Sequence, residues 1–183
     1  MSKFLYLISP EKIKNHKIFL KKLELVFTSN IIKFFQLRVK NQKRKQIILL
    51  GKKIIRLTRK YKVNFIINDD PYIAKILKKN SIIGITCHNS KTLASKAFAN
   101  KASYVAFGAF YPTKTKKVKY RAKLSLIRWA KKNIKKPIVA IGGINQKNYE
   151  KILNAGANYI ACSASIWKSN MKNPLTAVNM FKK

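Results

Sequence analysis

The sequence predicts an α/β fold, more narrowly a TIM-type (β/α) barrel of parallel strands with outer helices. Apolar strand-like runs alternate with amphipathic helix-like segments along all 183 residues, which is typical of a parallel sheet with helical crossovers. At least four of the strands end in polar groups. A barrel gathers all its strand ends around one mouth, whereas an open sheet gathers ligands at one switch point, so we expect the barrel. No linker rich in Gly, Ser or Pro divides the chain, so residues 1–183 should form one domain.

Short apolar runs predict seven strands. They cover residues 4–9, 34–40, 65–69, 82–87, 104–110, 138–142 and 159–165. Two helices are clear from apolar residues spaced three to four apart. The first contains Ile47, Leu50, Ile54 and Leu57, and the second contains Leu124, Ile127 and Ala130. Shorter helices are expected over residues 11–28, 71–79, 90–99, 146–154 and 173–182.

The composition indicates a protein of the cytoplasm with a core of its own. Hydrophobic residues make up 47% of the chain, which is enough for a sizeable core at this length. No apolar stretch approaches the roughly 20 residues of a membrane span. Cys87 and Cys162 lie far apart, each inside a strand-like run, so we expect buried reduced thiols and neither a disulfide framework nor a zinc site.

The formal net charge of +36 would ordinarily point to nucleic acid, an acidic membrane surface or an anionic substrate. The basic residues are mostly lysines, and they recur on the polar face of nearly every expected helix, which is typical of solvated surface. The arginine and aromatic side chains that read or stack on bases are not clustered. We therefore expect no specific nucleic-acid partner and no membrane, and the partners should be small phosphorylated molecules.

Three polar residues alternate with apolar ones in the second predicted strand. The period of two places Gln36, Arg38 and Lys40 on one face. An unpaired buried charge is costly, so these side chains should line a solvated cavity and meet an anionic ligand. The alternative is an edge strand with a solvated face.

Asn68 and Asp69 end the next strand, and Asp70 follows directly. Two of the five acids of a basic chain are thus adjacent at a strand end, which favours a hard cation such as Mg²⁺. The alternative is an N-cap for the helix after Pro71, more plausible for Asp70 than for both carboxylates.

The turn after residues 104–110 carries hydroxyl and ammonium groups at alternating positions, Thr113, Lys114, Thr115 and Lys116. Hydroxyl donors rotate to suit an oxyanion, and ammonium groups bring charge without a fixed approach angle. The turn therefore predicts a phosphate contact.

Three further strand ends carry weaker signals. Thr86 and His88 end the fourth predicted strand, where His88 is a possible catalyst or, equally, a capping or packing residue. Gly142 and Gly143 end the sixth, where missing side chains would let a phosphate reach backbone N–H groups. Residues 161–165 resemble a short strand leading into a helical turn that could present N–H groups to the same phosphate.

In chain order, these stretches resemble the motifs of thiamine phosphate synthase, a family of (β/α)₈ barrels. The Gln-Leu-Arg-x-Lys and Pro-Thr-x-Thr-Lys elements are specific, whereas the Gly-Gly element is shared by many phosphate-binding barrels. The matching stretches are 5–8, 36–40, 67–69, 84–88, 107–108 with 112–116, 140–144 and 155–157. This resemblance implies an enzyme that joins a hydroxymethylpyrimidine diphosphate to a thiazole phosphate, giving thiamine monophosphate and pyrophosphate. The alternative is a relative without the coupling reaction, either a ligand-binding protein or a thiazole tautomerase.

The resemblance also implies roles for single residues. Gln36 would orient the aminopyrimidine, Asp69 would bind Mg²⁺, and Thr86 and Lys116 would be the catalytic residues. The remaining roles concern the two phosphate groups. The diphosphate would be held by Arg38, Lys40, Asn68 and Lys116, and the thiazole phosphate by Thr113, Thr115, Gly143 and the backbone around Ser163 and Ala164.

The chain departs from the family after Asp69. Family members have a further βα unit there with a second magnesium aspartate, but only 12 residues, 70–81, precede the next matching strand. A βα unit takes on the order of 30 residues, so we expect the fourth strand of the family to be absent. One expected magnesium carboxylate then remains, unless Asp70 substitutes for the second. Ala109 and Ala164 also stand where the family has proline and serine.

Overall fold

The computed structural model describes residues 3–77, 82–113, 118–171 and 173–181. Strands and helices alternate along these residues. The strands are β1 (Leu5–Ile8), β2 (Ile32–Leu37), β3 (Asn64–Ile67), β4 (Gly84–His88), β5 (Tyr104–Phe107), β6 (Ile138–Ile141) and β7 (Tyr159–Cys162). The helices are α1 (His16–Phe27), α2 (Arg44–Lys60), α3 (Pro71–Leu77), α4 (Lys91–Ala99), α5 (Leu124–Asn133), α6 (Tyr149–Asn154), α7 (Ala164–Trp167) and α8 (Pro174–Asn179).

The chain forms two compact units, one made of Met1–Ser81 with Ile166–Lys183 and the other of Ile82–Ser165. In the first unit the parallel strands lie in the order β3-β2-β1. The ring of Phe35, from the central strand, lies 5.8 Å from Phe27 of α1 and 6.4 Å from Phe65 of β3. Aromatic packing therefore joins helix and sheet at the centre of this unit.

Trp167 joins the returning carboxyl-terminal segment to the same unit. Its ring lies 5.5 Å from that of Phe19 in α1, and its indole N–H donates to the carbonyl of Ile8, with an N···O distance of 2.7 Å. The carbonyl accepts this bond at the carboxyl end of β1. The indole therefore supplies both packing and a hydrogen bond there.

The second unit contains four parallel strands in the order β7-β6-β5-β4. Buried residues such as Val105, Phe107 and Ile160 form its core. Within this unit β4 lies at one end of the strand order and is the least covered strand, since Gly84, Ile85 and Thr86 are exposed, Ile85 to 40%.

All seven predicted strands are present, but most are shorter than predicted at their carboxyl ends. β2 ends at Leu37 and not at Lys40, and β3 ends at Ile67 and not at Asp69. The polar residues expected at the ends of these strands therefore lie just beyond them. Between β3 and β4 the described residues form α3 and no strand, and residues 78–81 lie outside the description.

Side-chain caps mark the start of several helices, α1 and α4 among them. The Asn15 carboxamide accepts from the N–H of Ile18, so α1 begins at His16 and not near residue 11 as predicted. Ser90 caps α4 in the same way, which confirms the predicted helix at 90–99 to within one residue. Such caps satisfy N–H groups that have no partner inside the helix. None of the described helices is both long and apolar enough to cross a membrane.

Candidate functional site

The segment after β2 is held against the segment after β1. The hydroxyl of Ser9 accepts from the backbone N–H of Arg38 at 2.9 Å, and the backbone N–H of Lys40 donates to the carbonyl of Glu11 at 2.9 Å. Ser9 is 1% exposed. These bonds continue the pairing of the two strands beyond their ends and fix the backbone of both cationic residues.

The carboxylate of Glu11 lies between these two cations. Its Oε1 atom accepts from Arg38 Nη1 at 2.6 Å and from Lys40 Nζ at 3.1 Å. The side chain of Arg38 is 20% exposed and that of Lys40 is 52% exposed. Hydrogen bonds from Arg38 first, and then from Lys40, hold the pKa of Glu11 below its usual range. The predicted anion contact is therefore made by a side chain of the protein itself.

Gln36 lies one position inside the end of β2. It is half-buried and pairs in register with Ile8 of β1 and Ile66 of β3. Of the three residues predicted to share one face, Arg38 and Lys40 meet at the carboxylate of Glu11, and only Gln36 is within the strand.

Asn68 and Asp69 form a turn at the end of β3. The backbone N–H of Asn68 donates to the carbonyl of Leu37 at 3.2 Å, and its side-chain amide donates to Asp69 Oδ2 at 2.8 Å. Asp69 is exposed and has a φ of 55°. This left-handed conformation is uncommon outside glycine and is tolerated best by Asn and Asp. It turns the chain so that Asp69 and Asp70 have different surroundings.

Asp70 caps α3. Its Oδ1 atom accepts from the N–H of Ile73 at 3.0 Å, and its Oδ2 atom accepts from Arg44 Nε at 2.9 Å. The N–H of Ile73 first, and then the Arg44 guanidinium, lower the pKa of this carboxyl. The capping alternative thus describes Asp70, because both of its oxygens are occupied. Across the described residues no group of three or more His, Cys, Asp or Glu is arranged to hold a metal ion.

In the second unit, the Gly142–Gly143 turn lies directly against the segment that follows β5. Both glycines have positive φ, 100° and 66°. A Cβ atom on Gly142 would collide with Ala109, and one on Gly143 would collide with the carbonyl oxygen of Pro112 and lie 2.7 Å from Tyr111. The sequence interpretation gave these glycines to phosphate approach. In the structure they are required by contact between two chain segments.

This contact determines where Thr113 lies. The backbone N–H of Phe110 donates to Ile141, and that of Tyr111 donates to Gly142, so residues 110–111 run beside the end of β6. Thr113 follows two positions after Tyr111 and is half-buried. Thr115 and Lys116, the other expected phosphate contacts of this turn, lie outside the described residues.

The same turn is also linked to the segment that contains Ser163 and Ala164. Cys162 Sγ lies 3.6 Å from the carbonyl oxygen of Ile144, and the side-chain amide of Gln146 donates to the carbonyl of Ser165 at 3.1 Å. The structure therefore brings together three predicted strand ends of the second unit, those with Thr113, with Gly143, and with Ser163 and Ala164.

Asn148 holds this turn in place. Its side chain donates to the carbonyl of Gly143 at 3.1 Å and accepts from the N–H of Asn145 at 2.9 Å, while its backbone carbonyl accepts from the Tyr111 hydroxyl at 3.4 Å. Sequence reasoning did not single out Asn148. A polar side chain six positions after a strand has no distinctive pattern of its own.

Thr86 lies in β4, exposed and in register with Ala106 of β5. His88, at the end of the same strand, has its ring 5.4 Å from that of Tyr120. This contact favours the packing alternative for His88. Both cysteines are buried and free, as predicted, and burial raises the pKa of Cys162 to about 12.

Sequence reasoning also missed Glu11. It is one of only five acidic residues, and it follows β1 by three positions, at the same edge of the sheet as Arg38. The rule that directed attention to Asp69, an acid just beyond a strand, would have found Glu11 as well.

These features define a TIM-type α/β protein whose strand ends carry cations, a carboxylate turn and a glycine turn. A thiamine phosphate pyrophosphorylase from Pyrococcus furiosus has a similar structure, with a TM-score of 0.81 at 24% identity, over 98% of this chain and 94% of that one. This likeness shows the fold.

Sequence comparison identifies the family. Residues 5–78 and 72–166 match the family described as thiamine monophosphate synthase. The thiamine-phosphate synthase of Pelagibacter ubique is 46% identical, over 98% of this chain and 96% of its own length, and that of Rhodospirillum centenum is 30% identical over the same shares. The chain belongs to the thiamine monophosphate synthase family.

The comparisons also bear on the segment after Asp69. The alignment with the Pelagibacter ubique protein spans 200 positions, more than the 183 residues of this chain, so that relative has residues that this chain lacks. The family match is divided into two parts that overlap at residues 72–78, within and just after α3. The two parts of the match therefore meet between β3 and β4, where the described residues contain no counterpart of the family's fourth strand.

Proposed function

We propose that this protein is an active thiamine phosphate synthase, a transferase that couples hydroxymethylpyrimidine diphosphate with thiazole phosphate and releases pyrophosphate. The observation that carries the proposal is the 46% identity to a thiamine-phosphate synthase over 98% of the chain. The alignment extends over nearly all of both chains, so it includes the segment from Gln36 to Lys40. The proposed partners are small phosphorylated substrates and no specific nucleic acid, and the proposed location is the cytoplasm.

In the first unit, the proposed ligand is the pyrimidine diphosphate. Gln36 would orient the aminopyrimidine, since it is half-buried at the end of the central strand. Arg38 and Lys40 would hold the diphosphate, and their backbones are already fixed by Ser9 and Glu11. Asn68 is proposed as a further diphosphate contact, and Lys116 would complete the set from outside the described residues.

Asp69 is the proposed magnesium ligand. Its carboxylate is exposed and accepts a hydrogen bond from the side-chain amide of Asn68, so it can turn toward a cation. Asp70 no longer serves as a second ligand, because its oxygens are held by Ile73 and Arg44. These residues therefore fit a Mg²⁺ ion that has one protein carboxylate as a ligand and takes its other ligands from substrate phosphates and water. When bound, such an ion neutralises charge on the diphosphate oxygens.

In the second unit, the proposed ligand is the thiazole phosphate. Thr113 and Thr115 would donate hydroxyl hydrogen bonds, and backbone N–H groups at Gly143, Ser163 and Ala164 would complete the site. The support is the convergence of three segments around the Gly142–Gly143 turn. Thr86 is proposed to lie near the reacting centre, with Lys116 as the second catalytic residue.

The proposed chemistry uses these residues mainly for charge. As the bond to the diphosphate breaks, negative charge grows on the departing pyrophosphate, and the fixed cations Arg38 and Lys40 stabilise that charge more in the transition state than in the ground state. The pyrimidine left behind is an electron-rich cation, which the thiazole nitrogen then captures. Gln36 would hold the ring in the orientation that this capture needs.

The test is a coupling assay with purified protein, both substrates and magnesium, read as thiamine monophosphate formed. We expect product from the wild type and a large loss in Lys116→Ala. If the folded wild type binds pyrophosphate but forms no product, the protein is a phosphate-binding homologue and the synthase proposal is wrong.

A further inference from the structure

Glu11, Arg38 and Lys40 form a charged cluster in which one anion holds two cations. One carboxylate oxygen receives both contacts, at 2.6 Å from the guanidinium and 3.1 Å from the ammonium group. All three side chains are at least partly exposed, so a ligand from solution can reach them. The cluster carries a net charge of +1, whereas the two cations alone would carry +2.

We propose that Glu11 is an internal competitor for the diphosphate-binding cations and sets how tightly this site holds pyrophosphate. The inference rests on the proposed function, in which Arg38 and Lys40 bind the diphosphate. A diphosphate that takes both cations must displace the Glu11 carboxylate or bind beside it. Either arrangement costs free energy, because the ligand loses part of the cation field or meets a like charge.

The competition has a consequence for turnover. The same pyrophosphate group arrives on the substrate and leaves as a product, so cations that bind it strongly would also slow its release. Product release limits the rate of many enzymes. Glu11 returns to Arg38 and Lys40 when pyrophosphate departs, and the cations are then neutralised in part without the anion. Glu11 therefore lowers the affinity for pyrophosphate and speeds its release.

The variant that tests this is Glu11→Gln, which keeps the shape of the side chain and removes its charge. A neutral amide competes for Arg38 and Lys40 less well than a carboxylate, because hydrogen bonds between charged groups are stronger than those to neutral groups. The effect is limited, since partly exposed ion pairs contribute little. Glu11→Gln should therefore bind inorganic pyrophosphate about tenfold more tightly than the wild type. In the coupling assay the inhibition constant of pyrophosphate should fall by a similar factor.

The matched control is Glu24→Gln. Glu24 is also paired with a lysine in the first unit, Lys60 at 2.8 Å, so the control makes the same charge change and breaks an ion pair that does not involve Arg38 or Lys40. Its pyrophosphate affinity should stay within about twofold of the wild type, because general charge is screened over roughly 10 Å at ordinary salt.

The decisive set of titrations uses inorganic pyrophosphate with the wild type, the two Gln variants, Arg38→Ala and Glu11→Gln/Arg38→Ala. Tighter binding in Glu11→Gln that Arg38→Ala reverses supports the inference. If Arg38→Ala weakens binding while Glu11→Gln does not tighten it beyond Glu24→Gln, the inference is wrong and the diphosphate site stands. If Arg38→Ala changes nothing in either background, the assignment of Arg38 to the diphosphate is wrong, and the role of Glu11 fails with it.

Discussion

Asp69 and Asp70 are adjacent carboxylates in different surroundings. Asp69 is exposed at the end of β3, in a left-handed conformation, whereas Asp70 is fixed between the first turn of α3 and Arg44. The chain itself provides this contrast, since the positive φ of Asp69 redirects the backbone between them. Replacing each aspartate by asparagine in turn should therefore distinguish the proposed metal ligand, Asp69, from the helix cap, Asp70.

Asp69→Asn should lower coupling activity by on the order of a hundredfold or more, because a neutral amide is a poor magnesium ligand and the ion is proposed to stabilise the leaving pyrophosphate. Asparagine also tolerates the left-handed conformation, so the fold should be retained. The measurement is the rate of thiamine monophosphate formation over a magnesium titration, with circular dichroism as the check on folding.

Asp70→Asn is the matched control. Asparagine caps helices about as well as aspartate, so α3 should stay folded and activity should remain within a few fold of the wild type. A loss in Asp70→Asn as large as that in Asp69→Asn would return Asp70 to the metal site. Unchanged activity in Asp69→Asn would remove the metal assignment altogether.

Among the elements of the second unit, the Gly142–Gly143 turn connects the segments that follow β5, β6 and β7. It lies against residues 109–112, is tied by Asn148, and contacts the segment after β7 through Ile144 and Gln146. A change at one glycine should therefore move several strand ends.

Gly143→Ala should lower the free energy of unfolding by about 2–4 kcal/mol, because alanine is disfavoured at positive φ and its Cβ would collide with backbone atoms of Tyr111 and Pro112. Urea denaturation measures the loss. Coupling activity, where detected, should fall mainly through a higher KM for thiazole phosphate.

Gly51→Ala is the control for that measurement. Gly51 is inside α2, and the atom that an added Cβ would meet first is the terminal methyl of Leu77 at 2.5 Å, which can rotate away. Alanine also favours the helix by up to about 1 kcal/mol. The net change should be well under that of Gly143→Ala, and an equal loss at both positions would contradict the backbone-collision argument.

Element order was predictable because it depends on local patterns. Alternating apolar runs predicted all seven strands, and the helix expected over residues 90–99 was correct to within one residue, whereas α1 begins five residues later than predicted. Strand ends were harder, since whether residues such as Arg38 continue a ladder depends on the neighbouring segment. Here the neighbour is Ser9, whose side-chain hydroxyl accepts from the backbone N–H of Arg38.

Across the chain, acidic residues are scarce relative to basic ones. Only 5 acids oppose 41 basic residues, and Glu11, Glu24 and Asp70 all form ion pairs with arginine or lysine. Hydrogen bonds from cations and backbone N–H groups hold the pKa of each below its usual range. Their contribution to stability therefore depends on pH in one direction.

A carboxyl whose pKa is lower in the folded state stabilises that state above the pKa of the unfolded chain, about 4, and this stabilisation disappears as the pH falls through the folded value. The urea midpoint should therefore be nearly constant from pH 7 to pH 5 and decrease below about pH 4, modestly because these ion pairs are partly exposed and screened by solvent. Loss of these negative charges also adds to self-repulsion in a chain of net charge +36. A midpoint that is unchanged between pH 5 and pH 3 would show that the ion pairs contribute nothing.

The candidate site was predictable in its residue types and less so in its pairings. Sequence alone indicated that Arg38 and Lys40 need an anion, but not that Glu11, 27 residues from Arg38, supplies one. Sequence alone did not decide whether Asp70 is a metal ligand or a helix cap, because the decision depends on a hydrogen bond from Arg44, which is distant in sequence. The phosphate contact at Gly142 and Gly143 stays a prediction, and the close contact of these glycines with Ala109, Tyr111 and Pro112 was not predicted because it appears only in three dimensions.

The chain has two tryptophans, and each lies in a different compact unit. Trp167, whose indole N–H bonds to Ile8, belongs to the first unit, and Trp129 of α5, with Lys91 Nζ 5.5 Å from its ring, belongs to the second. Replacing either one by phenylalanine leaves a single tryptophan, so tryptophan emission, excited at wavelengths that tyrosine does not absorb, reports on the unit that contains it. Coincident fluorescence transitions would show that the two units unfold as one cooperative structure, and separate transitions would reveal a partly folded intermediate.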